Sequence, residues 1–274
     1  MRYKLFACDV LRREVEALCA ELGKTPADFG AEFLEMGLHD QPEKLNAELK
    51  RRVAALRGAS HDAILLLFGL CSNGIVGVEA PGIPLVVVRA HDCITLFLGS
   101  RARYAEEHAR EAGTYWFARG FMDREMGGGV FDAALGGLTG LGAGEGDAAG
   151  VYSPGRREAI RRDFVERYGE DNADFLMEEL VDAWKKNYRR AVLLTWDGDD
   201  RLEFHRGEVR GCAGENGWRY EEMPVDLRLV RGLLSEAWRD SADYMIVPPG
   251  ERIRAAHDEQ VLGCCAGCGE SERV

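Results

Sequence analysis

The chain has 274 residues, 46% of them hydrophobic and 30% charged, with a net charge of −12. That composition belongs to a globular protein rather than a disordered one, and the length suits one large domain or two linked lobes. The negative balance excludes the non-specific nucleic-acid binding that depends on Lys and Arg neutralising phosphates.

Tyr3 to Ala7 is an apolar run predicted as a strand, ending at Cys8-Asp9. It meets a charge too soon for a signal peptide. The longest apolar stretch, Ala63 to Leu70, falls short of the roughly 20 residues that cross a membrane. A cytoplasmic protein without membrane contact is therefore expected, its eight cysteines serving as free thiols, metal ligands or redox groups rather than disulfides. Val10, Val15, Leu18 and Leu22 recur with helical spacing, and Gly23 stops that helix. Glu32 to Met36 is a second strand, running into Gly37-Leu38-His39-Asp40. Asp40 can cap a helix that has Pro42 in its first turn and Leu45, Leu49, Val53 and Leu56 along its apolar face.

Asp62 to Phe68 is continuously apolar after its first residue, as a strand covered on both faces requires. It leads into Gly69-Leu70-Cys71-Ser72-Asn73-Gly74. Pro84 to Val88 is a fourth strand, followed by Arg89-Ala90-His91-Asp92-Cys93 and a helix towards Glu111. Strands alternating with helices predict a parallel sheet. Thr114 to Phe117 is a further strand, whose Tyr115 and Trp116 either line a pocket or pack in a core. Gly127 to Gly150 is dominated by Gly and Ala, which lose much backbone entropy if ordered, and is read as an insert or linker. Its Gly142-Ala143-Gly144 follows no strand and is not a phosphate loop.

Pro154 to Arg190 is helical with a break near Gly169, Ala191 to Trp196 and Trp218 to Met223 are strands, Leu227 to Ala237 is a helix, and Tyr244 to Val247 is a last strand. The expected architecture is α/β. A parallel-sheet, Rossmann-like first lobe covers residues 1–126, the Gly-rich linker 127–150, a smaller helical and α/β lobe 151–255, facing the first across a cleft, and a Cys-rich tail 256–274.

Open α/β sheets bind ligands at the carboxyl ends of their strands, and Cys8, Cys71 and Cys93 all fall at such ends. Thiolates are soft ligands, suited to zinc, copper(I) or an iron–sulfur cluster. In an extended segment His91-x-Cys93 points both side chains to one side. With Cys71 that pair can make a three-ligand zinc site with one open position. Alternatively, Cys8, Cys71 and Cys93 can hold three irons of a four-iron four-sulfur cluster. His39 is a further ligand or a general acid–base, since imidazole titrates near neutrality. Without metal, Cys71 is a nucleophile that His91 can activate.

Gly69, Ser72, Asn73 and Gly74 offer backbone N–H groups to an anion, and Arg89 can pair a carboxylate or phosphate. A tight turn after a buried strand explains the same glycines and Asn73, and free cysteine is among the most buried residue types. Asp92 either orients His91 or caps the following helix, and capping fits it better. Cys265-x-x-Cys268, beside Cys264, suits metal binding or thiol exchange. Cys19 and Cys212 read as packing residues.

Several strings together resemble the "domain of unknown function 1638" family: Ala7-Cys8-Asp9-Val10-Leu11, Gly37-Leu38-His39-Asp40, Phe68-Gly69-Leu70-Cys71-Ser72-Asn73-Gly74, Arg89-Ala90-His91-Asp92-Cys93-Ile94 and Gly113-Thr114-Tyr115-Trp116. Tyr168-Gly169-Glu170-Asp171-Asn172-Ala173 and Val247-Pro248-Pro249-Gly250-Glu251 match as well. The resemblance covers about residues 1 to 255 and leaves out the Gly-rich stretch and the cysteine tail. It implies no activity, but it implies a setting, since such proteins are often met beside corrinoid-dependent methyltransferases. Zinc sites with His-x-Cys and a further Cys activate thiols as methyl acceptors in unrelated corrinoid-linked enzymes, and His91, Cys93 and Cys71 are similar by analogy.

Three readings follow. One is a metal-dependent transferase of one-carbon or methyl metabolism, with zinc lowering a thiol's pKa or a four-iron cluster in its place. Another is a non-catalytic accessory module that binds a corrinoid, metal or methyl-carrier partner. The last is a metal-free hydrolase or transferase using Cys71 and His91. The expected partner is a small-molecule substrate or a corrinoid protein.

Overall fold

A computed structural model describes residues 1–35, 42–125, 154–181, 183–256 and 258–266. Their contacts divide into two units, Met1–Glu107 with Val225–Val274, and His108–Pro224. His39, the stretch 127–150 and Cys268 lie outside the described residues.

The first unit is built on a five-stranded sheet of order β2-β1-β3-β4-β8. Its strands are β1 (Tyr3–Cys8), β2 (Glu32–Leu34), β3 (Ala63–Leu67), β4 (Leu85–Val88) and β8 (Tyr244–Val247). The first four run parallel, and β8 joins β4 antiparallel, Leu85 opposite Val247. The mixed α/β class and the mostly parallel sheet are those the alternating pattern predicts. Every residue of β3 and β4 is buried, as two-sided cover demands.

Side chains alternate across a strand, and each face has its own cover. Phe6, Ile64, Leu66, Leu85 and Val87 pack with Leu45, Leu49 and Val53 of helix α2 (Pro42–Ala54) and with Ile253 and Leu262. The last two belong to a hairpin of β9 (Glu251–Ala255) and β10 (Leu262–Ala266). The opposite face receives α9 (Arg228–Leu234), which packs on β3, β4 and α1 (Arg12–Glu21).

The second unit has a parallel three-stranded sheet: β5 (Thr114–Phe117), β6 (Arg190–Thr195) and β7 (Arg219–Pro224) in that order. Helix α8 (Leu202–Asn216) lays Val209 and Ala213 on Ala191 and Leu193. Tyr115 stacks on Trp218 and meets Tyr188 edge-on, so this aromatic belongs to the core and not to a pocket. Arg190 is fully buried, and its charge is answered by Thr114 Oγ1 at 2.8 Å and Glu221 Oε2 at 3.3 Å. Helix α6 (Pro154–Tyr168) breaks at Gly169 into α7 (Glu170–Leu176), where the sequence placed the break, and the pair shares a small core of Ile160, Phe164, Ala173 and Met177.

Three features depart from the sequence reading. The helix expected from Cys93 to Glu111 is two, α3 (Cys93–Leu98) and α4 (Arg101–Arg110), because Gly99 adopts a left-handed conformation, φ 70°, that ends the first. The domain boundaries move: residues 108–125 group with the second unit, and β8 returns to the first, where its pairing with β4 fixes it. The tail read from residue 256 contains β10, a paired strand with Leu262 in the core.

Among the described residues no helix is long and apolar enough to cross a membrane. Gly232, inside α9, gives a direct test of the packing. In an open helix Ala is better than Gly by about 1 kcal/mol. Here a Cβ would lie 2.2 Å from Tyr244 Oη, whose hydroxyl donates to the Leu229 carbonyl at 2.8 Å. Gly232→Ala is expected to lower stability by about 1–3 kcal/mol in urea denaturation; an unchanged midpoint would mean that the tyrosine moves aside freely.

Candidate functional site

The sheet order reverses between β1 and β3, since the chain goes outward to β2 and then returns past β1. Such a reversal opens a crevice at the carboxyl ends of the strands. Cys8 closes β1, Cys71 lies in the loop after β3, and Cys93 begins α3 after β4. Parallel strands bring all three to one edge.

The loops there are held tightly together. Leu70 N donates to the Ala90 carbonyl at 2.8 Å and Cys71 N to the His91 carbonyl at 2.9 Å. Gly69 lies so close that a Cβ would sit 2.5 Å from Asp92 Cα. Gly74 is equally close to helix α2, with Leu45 Cδ2 at 2.7 Å from a Cβ placed there, and Asn46 Nδ2 donates to the Gly74 and Val76 carbonyls at 3.1 and 2.6 Å. Between these anchors Cys71, Ser72 and Asn73 all have positive φ, 46°, 53° and 68°. Three consecutive L-residues in the left-handed region cost about 1–2 kcal/mol each, and such strain collects at functional sites.

The three thiols sense one another. Burial, then the charges of Cys8 and Asp92, pushes the Cys71 thiol from 9.0 to about 12. Burial, then Asp92, Cys71 and Cys8, raises Cys93 well above its ordinary value. Each of these residues keeps some exposed surface, yet the protein packed around the sulfurs dominates. None of these contributions is a cation, so both thiols are protonated at neutral pH.

Asp92 caps α3, its Oδ1 accepting from Thr95 N at 3.1 Å, as the sequence favoured. Its Oδ2 accepts from Tyr104 Oη at 2.9 Å. The Tyr104 ring stacks on His91, centroids 5.4 Å apart, and burial together with Asp92 raises its hydroxyl pKa. Tyr104 is a neighbour of this site that sequence reading missed, for it sits in a charged helix with no apolar stripe. His91 is exposed and turned to Tyr104.

The remaining sequence candidates fall as follows. Ser72 and Asn73 are exposed at the loop tip, while Gly69 and Gly74 serve close packing. Arg89 reaches away to the terminal hairpin, its guanidinium donating to the carbonyls of Gln260 and Leu262. Cys19 is fully buried and Cys212 half-buried, as packing residues should be. Cys265 is disulfide-bonded, which corrects the expectation of free thiols throughout; ordered β10 holds it in place. Among the described residues no three His, Cys, Asp or Glu side chains converge as metal ligands.

A second charged cluster, also missed, marks the carboxyl edge of the second unit's sheet. Buried Arg119 donates to Asp199 Oδ1 at 2.9 Å and to Asp123 Oδ2 at 3.1 Å. His205 Nδ1 lies 2.6 Å from Asp199 Oδ2. The Arg119 ion pairs and the close approach of His205 to Asp199 make the cluster a clamp between helix α5 (Arg119–Glu125), the loop after β6, and α8.

Residues 33–234, well over half of the chain, match the family described as "Protein of unknown function (DUF1638)". The chain belongs to the DUF1638 family. No curated protein and no solved structure matches it. The match spans the loops that carry Cys71 and Cys93, while Cys8 precedes it.

Two outcomes test the site's physics. Ser72→Gly and Asn73→Gly should each stabilise the protein by about 1 kcal/mol, read in urea denaturation, because glycine relieves the left-handed strain; a loss of stability in both would overturn the strain argument. The raised Cys71 pKa acts in the other direction on alkaline stability. The folded state holds its proton where the unfolded chain has released it, so this contribution is intact below pH 9.0 and is lost as pH rises from there through about 12. Denaturation curves at rising pH should show that loss in the native protein and less of it in Cys71→Ala.

Proposed function

We propose that the chain is a metal–thiolate protein in which Cys8, Cys71 and Cys93 hold zinc or a four-iron four-sulfur cluster, acting in one-carbon or methyl transfer. The carrying observation is the gathering of three cysteines at one sheet edge, where Cys71 and Cys93 are raised by burial and by Asp92. A bound soft cation would reverse that balance, since metal binding displaces thiol protons and favours the thiolates. The donor set fits a soft metal by its chemistry. Its present arrangement is not closed upon one point among the described residues, so metal binding would draw the sulfurs together while Cys71 N stays tied to the His91 carbonyl.

Within this reading each residue has a task. Cys93 is fixed at the start of α3 by the Asp92 cap. Cys8 is held by β1, and Cys71 rides on the loop pinned through Gly69 and Gly74. His91, exposed on the Tyr104 ring, is placed to meet a substrate or to complete the ligand set. Zinc, when bound, would act as a Lewis acid towards an incoming thiol or methyl acceptor. A Rossmann-like description of the first unit accords with the reversal between β1 and β3. The methyl-transfer setting and a corrinoid partner rest on the family resemblance alone. The metal-free alternative is disfavoured, because a nucleophilic cysteine needs a lowered pKa and Cys71 has the opposite.

The test is metal content and visible spectrum after anaerobic purification or reconstitution. About one zinc per chain, or about four irons with a brown chromophore, is expected in the native protein. The Cys8→Ser, Cys71→Ser, Cys93→Ser triple variant should lose it. A native protein that takes up neither metal after reconstitution would sink the proposal.

A further inference from the structure

The hairpin of β9 and β10 carries the one described cysteine that is not a thiol. Cys8, Cys19, Cys71, Cys93, Cys212 and Cys264 are thiols, and Cys265 is disulfide-bonded. The sequence has eight cysteines, so the partner left for it is Cys268, three positions on. A bridge stabilises a fold mainly by restricting the unfolded chain, and more so as its loop lengthens. One that spans two intervening residues restricts very little, so a stapling role explains it poorly.

Adjacent residues of a strand face opposite ways, and the pairing register separates Cys264 from Cys265. Cys264 lies opposite Ile253 and packs against the core, where burial, then Glu251, raises its thiol. Cys265 lies opposite Arg252 on the outer face and keeps some exposure. Residues paired in this way carry Cβ atoms about 5 Å apart. Arg254 is next along the same face, opposite Gly263. Because Gly263 has no side chain, the Arg254 guanidinium lies over it: a Cβ there would meet Nε at 2.8 Å and Cζ at 3.1 Å. Arg252 is shared with Glu79 at 3.0 Å, while Arg254 is exposed and has no carboxylate partner among the described residues. Cys265 thus shares its face with two guanidinium groups, in a chain whose net charge is −12. Neighbouring cations favour a thiolate, and they draw anionic reagents towards it.

We infer that Cys265 and Cys268 form a redox-active disulfide that exchanges with small anionic thiols of the glutathione kind. In the reducing direction a thiolate of the small thiol attacks the sulfur of Cys268, and the S–S bond breaks. Cys265 leaves as the thiolate, the better leaving group beside Arg252 and Arg254, and takes a proton from water. A second small thiol then displaces Cys268 and departs with the first as their disulfide. The chain gains two electrons and two protons, and two small thiols become one disulfide. In the reverse direction the Cys265 thiolate attacks and Cys268 closes the bridge.

Thiol counts on the full chain test the exchange. After native equilibration with oxidised glutathione, six thiols should react with Ellman's reagent in denaturant. After reduced glutathione the count should be eight, with the circular dichroism spectrum unchanged. The Cys8→Ser, Cys71→Ser, Cys93→Ser triple variant should gain the same two thiols, which separates this pair from the thiol edge. Cys268→Ser, given oxidised glutathione, should hold one glutathione, placed on Cys265 by peptide mass mapping. Adding Arg252→Gln and Arg254→Gln should slow formation of that adduct about fivefold. An equal count in both buffers, an adduct on another cysteine, or an unaltered rate in the arginine variant would each overturn the inference.

Discussion

The first unit depends on how closely the chain after β3 lies against the chain after β4. Gly69 makes that approach possible, since any side chain there would collide with the Asp92 backbone. From this contact follow the two hydrogen bonds from Leu70 and Cys71 to the Ala90 and His91 carbonyls, which extend the pairing beyond the strands. Asp92 is thereby set where its carboxylate caps α3 on one side and receives Tyr104 on the other. The cysteines become neighbours because the backbones that carry them are neighbours first.

The carboxyl edges of the two sheets solve the problem of buried ionisable groups differently. In the second unit the buried Arg119 guanidinium is paired with Asp123 and Asp199, and His205 lies within hydrogen-bond distance of Asp199, so the buried cation is answered from within. In the first unit burial and the neighbouring Asp92 raise the Cys71 and Cys93 thiols, and these two escape the cost of burial by keeping their protons. A closed network resists change. An edge of neutral, soft donors beside a strained turn is open to whatever supplies positive charge.

Much of this was legible in the sequence, and the failures have particular causes. Continuous apolar runs at 63–68 and 84–88, each followed by a turn, identify central strands and put Cys71 and Cys93 at their ends. Helix α8 was invisible because Leu202–Asn216 contains Gly207, Gly211 and Gly214, which weaken any helical signal, and only Val209, Ala213 and His205 of it are buried. The short run 244–247 announces a strand without naming its sheet, and only pairing with β4 assigns it. Arg89 reads as a site residue from its place after β4, but carbonyls of a hairpin some 170 residues later claim it. Tyr104 lies on Arg101–Arg110, where no residue is buried and no pattern could draw attention to it.

The antiparallel strand β8 has one more consequence, for the order in which the molecule is made. The second unit is a single uninterrupted stretch, His108–Pro224, whereas the first is assembled from two stretches on either side of it. On the ribosome the inserted unit has all its residues before the first unit does. Until residue 247 emerges, β4 is left as an unpaired edge of Leu85, Val86, Val87 and Val88, the kind of apolar border that recruits foreign strands. Closing it requires a loop across more than a hundred residues, an entropic cost that grows only slowly with length. The nascent chain is therefore most vulnerable to aggregation in the interval between synthesis of the two halves of its first sheet.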